Sequence, residues 1–315
     1  MRLATVLAAA LLIFAQPSFA NSQNANLAAG PHDIDIGDVR LHYVVAGHGP
    51  LVFVATPGWG SGSSYLQKGL APLARHLTLL FIDMRGSGGS SRPADRARMS
   101  QTVMADDIDQ LRAALGLDTI DLMGHSDGGT IAIEYAERHP EHLRKLALID
   151  ARVLGDREGD NIHSYLTLWA DDPHYRAAVQ EEIKAESNDG PVASDADFEK
   201  YLSTVLPLYV SDPVRFAPKL AASFAGTHLS SYAANAQDDA QQSTPRDQTK
   251  ELGNIKAKTL IINGTVDWIC PYQEAQLLHA QIPGSQLSLY ANKGHVPWIE
   301  DPSRFFPEIS AYFRD

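Results

Sequence analysis

The sequence predicts an α/β protein in which a mainly parallel sheet is flanked by helices and interrupted by an inserted helical lid. Three observations carry this prediction. Apolar runs recur along the chain, as is typical of strands buried on both faces. Segments with helical periodicity separate these runs, and strand–helix alternation gives a parallel sheet covered by helices. The alternation stops near residue 151 and resumes near residue 258, which leaves room for the insertion.

The first twenty residues have the layout of a secretory signal peptide and are not expected to belong to the fold. Arg2 gives a positive start, and Leu3 to Ala15 form an apolar run. Ser18 and Ala20 then place small residues at positions −3 and −1 of a cleavage site. We expect cleavage after Ala20 and a secreted or periplasmic mature protein. The alternative is a membrane anchor, but the run is short for a bilayer span, so we expect no stable membrane association after cleavage.

The first part of the core is predicted at residues 39–151, after a polar leader at residues 21–38. Its helices are predicted at residues 102–116, where the apolar side chains fall on one face, and at residues 128–139, ending before Pro140. Its strands are read from the apolar runs VRLHYVVAG (39–47), LVFVAT (51–56), LTLLFIDM (77–84), TIDLMG (119–124) and KLALID (145–150).

The second part of the core is predicted at residues 251–315. It contains a strand KTLIING (258–264), a helix at residues 272–281, a strand QLSLY (286–290) and a last helix that begins near Asp301. Residues 152–250 lie between the two parts and lack convincing apolar strand runs. This insertion is predicted to be a helical lid, and it is acidic, with 16 Asp and Glu against 9 Lys and Arg.

Composition limits the classes of partner. The formal net charge of −12 argues against nucleic acid and anionic membrane as partners, but it identifies no partner on its own. The partner that we expect is a small-molecule substrate, and this expectation comes from the catalytic motifs rather than from the charge. Cys270 is the only cysteine, which excludes an intramolecular disulfide and leaves the fold to its core. No spacing of His, Asp and Glu suggests a metal site, and we expect no metal and no cofactor. The oligomeric state is not readable from the sequence.

The stretch LMGHSDGGT (122–130) carries the strongest chemical signal. Ser126 lies between a predicted strand and a predicted helix, with Gly124 two residues before it and Gly128 two residues after it. A serine on such a tight turn projects its hydroxyl from the carboxyl edge of the sheet, and the crowded turn requires small neighbours. This is the G-x-S-x-G nucleophile elbow, and it predicts Ser126 as a nucleophile.

A serine hydroxyl needs a general base, and the base needs an acid that orients it. Asp267 in TVDWICP follows the strand at 258–264, and His295 in YANKGHVPWIEDP follows the strand at 286–290. The order Ser126, Asp267, His295 is the one expected on this architecture, so we predict these three as nucleophile, acid and base. Asp83 and Asp150 also end strands and remain possible acids, although their chain positions are less suitable.

The tetrahedral intermediate needs hydrogen-bond donors for its oxyanion. The backbone N–H of Asp127, directly after the nucleophile, is predicted as one donor. The other is expected from the glycine-rich loop PGWGSGSS (57–64), where Gly58 or Trp59 would supply it. Trp59 is also predicted as a substrate-binding residue in the wall of the acyl pocket, with plain packing as the alternative.

These motifs resemble those of the α/β-hydrolase superfamily, and within it the branch of proline iminopeptidase-like serine hydrolases. The resemblance covers nearly all of the chain after about Val39, through FIDMRGSGGSSRP (81–93), GHSDGG, INGTVDWICP and NKGHVPWIEDP. It implies the α/β-hydrolase fold and the same triad of Ser126, Asp267 and His295. It also implies that residues 83–90 shape the floor near the active site.

Two departures from the peptidase pattern bear on the substrate. True proline iminopeptidases carry a His-Gly-Gly-Pro-Gly type loop where this chain has TPGWG (56–60), and a tryptophan where it has Asp127. The leading hypothesis is therefore an exported serine hydrolase that cleaves an ester, lactone or amide through an acyl-enzyme. An aminopeptidase for N-terminal proline or another small residue is the alternative enzyme. A slow or inactive small-ligand-binding protein is the alternative of another class.

Overall fold

A computed structural model describes residues 26–155, 162–187 and 192–315. The predicted signal peptide and residues 21–25 of the predicted leader lie outside the described residues. One eight-stranded sheet runs through the described chain in the order β1-β2-β4-β3-β5-β6-β7-β8. The strands are β1 (Gly30–Ile36), β2 (Val39–Gly47), β3 (Leu51–Ala55), β4 (Thr78–Asp83), β5 (Ile120–His125), β6 (Leu143–Ile149), β7 (Lys258–Gly264) and β8 (Gln286–Tyr290).

The sheet is mainly parallel, as predicted. β2 pairs antiparallel with both β1 and β4, and every other neighbouring pair of strands is parallel. β5 is buried along its whole length, which explains why its sequence is mainly apolar, with Asp121 as the polar exception before His125. The carboxyl ends of β3, β5, β6, β7 and β8 all lie at one edge of the sheet, where sites collect in such folds.

The predicted boundary of the polar leader is wrong, because Gly30–Ile36 forms strand β1. β1 lies at the edge of the sheet and pairs only with β2. Its side chains alternate between exposed and half-buried, so its outward positions are polar, including Asp33 and Asp35. An exposed edge strand buries too little apolar surface to produce a continuous apolar run, which is why its sequence resembles a leader.

Helices cover both faces of the sheet. On one face, α2, α3 and α9 bury apolar side chains such as Ile108, Ile131 and Leu278. On the other face, α1, α11 and the insertion bury side chains such as Leu66 and Phe305. The α-helices of the described residues are α1 (Ser64–Gly69), α2 (Gln101–Ala114), α3 (Asp127–Arg138), α4 (Ile162–Trp169), α5 (Arg176–Glu186), α6 (Asp195–Val205), α7 (Pro213–Phe224), α8 (Ser231–Ser243), α9 (Tyr272–Gln281), α10 (Pro297–Glu300) and α11 (Pro302–Arg314).

The insertion connects β6 to β7 and carries helices α4 to α8. It touches the core at the glycine-rich loop, where Gly62 N donates to His228 O at 3.1 Å. At the same place Ser61 and Leu229 form an isolated antiparallel β-bridge. These contacts place the lid helices over the carboxyl edge of the sheet. None of the helices in the described parts of the chain is long and apolar enough to cross a membrane.

Candidate active site

Ser126 lies on a sharp turn between β5 and α3, with φ of 57° and ψ of −128°. The turn is closed by backbone hydrogen bonds, because Ser126 N donates to Ile149 O at 3.1 Å and Gly129 N donates to Ser126 O at 2.8 Å. The two motif glycines are sterically required. A Cβ on Gly124 would come within 2.2 Å of the Gly128 carbonyl oxygen, and a Cβ on Gly128 within 2.3 Å of the Ala55 carbonyl oxygen.

His295 and Asp267 form a buried pair. The distance from His295 Nδ1 to Asp267 Oδ2 is 2.7 Å, and each residue is 1% exposed. Asp267 Oδ1 accepts from the backbone N–H groups of Ile269 at 2.9 Å and Cys270 at 3.2 Å. The carboxylate is therefore fixed on both oxygens, and its bond to Nδ1 leaves Nε2 of the imidazole for the substrate side.

The loop that carries His295 is held by the lid and by α10. His295 N donates to Tyr209 O at 2.9 Å, and Gly294 N donates to Glu300 Oε1 at 2.7 Å. The other oxygen of Glu300 accepts from Ser211 N at 3.1 Å and also from the Ser211 hydroxyl. Glu300 thus ties the histidine loop to the end of a lid segment, a role that the sequence did not reveal.

His125, next to the nucleophile, is buried against the histidine loop. Its Nε2 lies 2.9 Å from His295 O, and its Nδ1 lies 3.3 Å from the hydroxyl of Tyr65. Its ring also packs edge-on against Trp298 at 4.6 Å. Burial, with a smaller effect from the charge of His295, holds the pKa of His125 well below its usual value. A neutral imidazole here supports the loop by packing and hydrogen bonding.

A cavity with apolar and aromatic walls opens above Ser126. The lid contributes Leu202, Tyr209 and Phe224 to these walls, and within the described parts of the chain no carboxylate lines the cavity. Ser126 and His295 both face it, so the structure brings all three predicted triad residues to one place. The lining residues are Pro57, Trp59, Ser61, Tyr65, His125, Ser126, Leu202, Tyr209, Phe224, His295 and Val296.

Of the residues predicted for the oxyanion hole, Trp59 lies in the cavity wall and packs against Phe198 with the ring centroids 5.5 Å apart. Gly58 directly precedes Trp59, and its carbonyl accepts from the Ser87 hydroxyl at 3.3 Å. Asp127 directly follows Ser126 as the first residue of α3, a position whose N–H has no partner within its own helix. All three residues therefore line the cavity or adjoin residues that line it.

The side chain of Asp127 points away from this role and links three elements. Its Oδ1 accepts from Gln101 Nε2 at 3.2 Å, and its Oδ2 accepts from Gln237 Nε2 at 2.5 Å. Gln101 begins α2 and Gln237 lies on lid helix α8. A Cβ on Gly58 would come within 2.8 Å of Gln237 Oε1, so the same glutamine also packs against the glycine-rich loop.

The two alternative acids do not contact His295 through any hydrogen bond found in the described chain. Asp83 accepts from Ser63 N at 2.6 Å and from Gly89 N at 2.7 Å, so it joins the glycine-rich loop to the loop after β4. Asp150 accepts from Gly264 N at 2.8 Å and lies beside Asp267. The geometry therefore favours Asp267 as the partner of the imidazole.

One cluster outside the cavity brings possible metal ligands together, namely Asp109, His139 and His142. Asp109 is already engaged, because Arg112 Nε lies 2.7 Å from one of its oxygens and Arg112 Nη2 lies 3.2 Å from the other. His142 Nδ1 also lies 2.7 Å from Asp109. The cluster serves as an ion-pair network between α2 and the end of α3.

Sequence reasoning missed most of the cavity wall. Tyr65 lies on α1, and the lid residues Leu202, Tyr209 and Phe224 come from helical segments without a motif. Helical periodicity marks each of these side chains as buried but does not distinguish a core position from a cavity position. Glu300 follows the histidine loop in WIEDP, and only its position in that motif hinted at a role.

Comparison with known proteins agrees with the fold. The family description "alpha/beta hydrolase fold" matches residues 51–302. A proline iminopeptidase from Pestalotiopsis fici is 28% identical over 85% of this chain and 93% of its own length. An esterase from Exiguobacterium antarcticum has a similar structure, with a TM-score of 0.65 and 21% identity over 88% of this chain and 96% of its own.

A further structural neighbour is described as an N-acyl homoserine lactone degrading enzyme. Its TM-score is 0.62, with 20% identity over 89% of this chain and 100% of its own. At these identities the structural neighbours establish the fold. The class of protein that the fold and the site define is a hydrolase enzyme. This chain belongs to the alpha/beta hydrolase fold family.

Proposed function

We propose that this hydrolase is a serine hydrolase that cleaves an ester, lactone or amide bond of a small molecule through an acyl-enzyme on Ser126. One observation carries the proposal. Ser126 and the buried Asp267–His295 pair face the same apolar cavity, so a nucleophile, a base and a space for an acyl group coincide. We also propose that this hydrolase prefers substrates with an apolar acyl group, because apolar and aromatic side chains dominate the cavity wall.

The reaction would proceed in two halves. His295 Nε2 takes the proton of the Ser126 hydroxyl as its oxygen attacks the substrate carbonyl, and Asp267 stabilises the imidazolium. The oxyanion accepts from the N–H of Asp127 and from an N–H of the loop at Gly58 and Trp59. His295 gives the proton to the leaving group, which departs. Water then attacks the acyl-enzyme with His295 as base, and the acid is released.

The cavity favours an acyl ester or lactone over a peptide with a free amine. An N-terminal ammonium group needs a carboxylate at the site, and none of the described residues that line the cavity is an Asp or a Glu. The buried lid acid Glu182 is already bonded to the Tyr201 hydroxyl at 2.6 Å, and burial raises the pKa of its carboxyl. The aminopeptidase alternative therefore lacks a visible anchor, although one similar protein is a proline iminopeptidase.

The proposal predicts that hydrolysis depends on Ser126. The purified protein is assayed with short and medium nitrophenyl esters, lactones and proline nitroanilide, alongside Ser126→Ala. We expect turnover of esters or lactones and a loss on the order of 10⁴-fold or more in the variant, because the nucleophile is gone. A fluorophosphonate probe should label the wild type and not Ser126→Ala.

The matched control is Ser203→Ala, which removes an exposed hydroxyl on α6 and should keep both activity and labelling. Preference for the proline nitroanilide would favour the aminopeptidase alternative. Activity that survives in Ser126→Ala would overturn the serine mechanism. A folded wild type that neither labels nor turns over any substrate would point to the ligand-binding alternative.

We also propose that the chain is exported after removal of residues 1–20. The support is the positive start, the apolar run and the small residues Ser18 and Ala20. Expressed at full length, the exported protein should begin at Asn21 by amino-terminal sequencing. Ala20→Phe should block this cut because a bulky residue occupies the −1 position, whereas Phe19→Leu should not. A cytoplasmic product that retains Met1 would contradict the proposal.

A further inference from the structure

Asp150 is a buried acid that the proposed mechanism does not use. It directly follows β6, adopts a φ of 44°, and is 0% exposed. Its N–H donates to Ile262 O at 2.8 Å, and its Oδ1 accepts from Gly264 N at 2.8 Å. Two bonds to β7 therefore fix both its backbone and its carboxyl. This arrangement presents the carboxyl to the loop that follows β7, where Asp267 lies.

The second oxygen of Asp150 has an unusual environment. Asp150 Oδ2 is buried and receives no hydrogen bond from any donor in the described residues. The neighbour within hydrogen-bonding reach is the carboxyl of Asp267. Two ionised carboxylates in contact inside a protein repel each other strongly, so such a pair retains one proton between them. A proton on Oδ2 would convert the unpartnered oxygen into a donor.

The surrounding donors decide which acid holds this proton. Asp267 accepts from two backbone N–H groups and from the His295 imidazole, so both of its carboxyl oxygens already serve as acceptors. Asp150 accepts from one N–H only. Burial, followed by the charge of Asp267, raises the pKa of the Asp150 carboxyl well above its usual value. The proton therefore belongs on Asp150.

Among the other titratable groups near Asp150, Glu300 acts in the same direction as Asp267. Glu300 on α10 adds negative charge, and Cys270 beyond Asp267 is a buried thiol. Burial, with Asp267 as a smaller cause, raises the pKa of the Cys270 thiol, which keeps it neutral. Arg152 is the cation nearby, and its charge acts on Cys270. No cation makes an ion pair with Asp150 among the described residues.

We propose that Asp150 is a positioning residue that stays protonated and donates a hydrogen bond from Oδ2 to the Asp267 carboxylate. The bond holds Asp267 against His295 Nδ1 and restrains the basicity of the carboxylate. The inference rests on the proposed serine mechanism, in which His295 is the base. Asp150 itself touches no reacting atom, and its effect reaches the substrate only through Asp267 and His295.

Asn and Gly are the informative substitutions, because both tolerate the left-handed backbone at this position. Asp150→Asn keeps the size, keeps an acceptor for Gly264 N, and places an N–H donor where the Oδ2 proton stands. Asp150→Gly removes the donor and the acceptor without backbone strain. Thermal unfolding of both variants establishes that they are folded before either is compared with the wild type.

The first measurement needs no substrate. An infrared difference spectrum between wild type and Asp150→Asn at neutral pH should show the carbonyl band of a protonated carboxylic acid in the wild type only. A spectrum that shows only carboxylate bands would overturn the protonated state. The two proteins differ only at position 150, so the bands of the other buried acids cancel in the difference spectrum.

The second measurement tests whether Asp150 acts on His295 through Asp267. In a Ser126→Ala background, nitrogen NMR follows the pH midpoint at which the His295 imidazole takes up its second proton. We expect Asp150→Asn to keep the midpoint, and Asp150→Gly to raise it by about 0.5 to 1 unit, because Asp267 loses a donor and becomes more basic. An unchanged midpoint in Asp150→Gly, or the same rise in both variants, would contradict the proposal.

Kinetics in the otherwise wild-type chain complete the test. Asp150→Gly should lower kcat on the order of tenfold with little change in KM, and Asp150→Asn should restore most of it. Equal losses in both variants would contradict the donor role. If Ser126 proves unreactive to the fluorophosphonate probe, the proposed function fails while the infrared and NMR outcomes still decide the state of Asp150.

Discussion

At the residue scale, Ser126 has a backbone conformation that few serines adopt. Its φ of 57° with ψ of −128° lies in a sparsely populated region, which costs about 1–3 kcal/mol. The neighbouring chain keeps it there, because Gly124 and Gly128 allow the turn to pack against the backbone at Ala55. This strained turn is what allows the Ser126 hydroxyl to project from the carboxyl edge of the sheet.

Gly128→Ala tests this packing. The new Cβ would meet the Ala55 carbonyl oxygen at 2.3 Å, and neither atom belongs to a flexible side chain. We expect the free energy of unfolding, measured in urea, to fall by about 1–3 kcal/mol or more, since overpacking against fixed backbone forces a shift. Ala55 ends the strand before the Trp59 loop, so kcat should fall as well.

The matched control for this change is Gly253→Ala. Gly253 is exposed, its φ is not positive, and its nearest atom to a new Cβ lies at 3.9 Å. That variant should keep both stability and activity. Equal unfolding free energies for Gly128→Ala and the wild type would show that the elbow is less tightly packed than its geometry indicates.

At the element scale, α3 is joined to the end of the lid insertion by an ion-pair network. Arg246 lies 3.0 Å from Glu134, 2.8 Å from Glu137 and 3.0 Å from Glu251. The Glu137 side chain is 0% exposed. Burial raises the pKa of Glu137 to about 8, with Glu134 adding to the rise and Arg246 opposing it. The Arg246 guanidinium thus pairs with three carboxylates. The negative charge of Glu137 is the least compensated of the three.

The network makes stability depend on pH. The folded pKa of Glu137 lies above the unfolded value of 4.5, so the folded state binds more protons between these values and loses stability as pH rises from 4.5 to about 8. Glu137→Gln removes this loss and keeps an acceptor for Arg246. We expect its free energy of unfolding to exceed that of the wild type by roughly 1–3 kcal/mol at pH 8, with the difference shrinking towards pH 4.5.

Glu251→Gln provides the opposite control, because the hydrogen bond and charge of Arg246 lower the pKa of Glu251. Its contribution to stability is present above the unfolded pKa and disappears as pH falls, so the variant should be slightly less stable than the wild type near neutral pH. Urea unfolding at several pH values measures both variants. A pH-independent difference for Glu137→Gln would contradict the assignment of the network.

At the scale of the whole molecule, the sequence predicted the strands of the sheet better than the walls of the cavity above the sheet. The bounds of β7, β8 and α9 are those predicted, and β7 is buried at every position after Lys258, which gives its apolar run clear limits. β1 was missed because an exposed edge strand has no such run. The convergence of Ser126, Asp267 and His295 was predictable because each of them follows a strand that ends at one edge of the sheet.

The cavity wall and the surroundings of the acid were not predictable in the same way. Tyr65 and Phe224 stack at 4.5 Å although they are far apart in the chain, and no local pattern encodes that contact. The sequence named Asp150 only as an alternative acid. Which of two strand-ending acids reaches the imidazole depends on how β6 and β7 present their loops, and this is set by pairing between distant segments.

The lid insertion also has a consequence for how the chain folds. Ser126 precedes it and the Asp267–His295 pair follows it, so the candidate active site is complete only once β6 has paired with β7 across the insertion. Closing so long a loop is slow compared with forming the local β5–α3 turn. In a refolding molecule, assembly of the candidate site therefore reports this long-range closure.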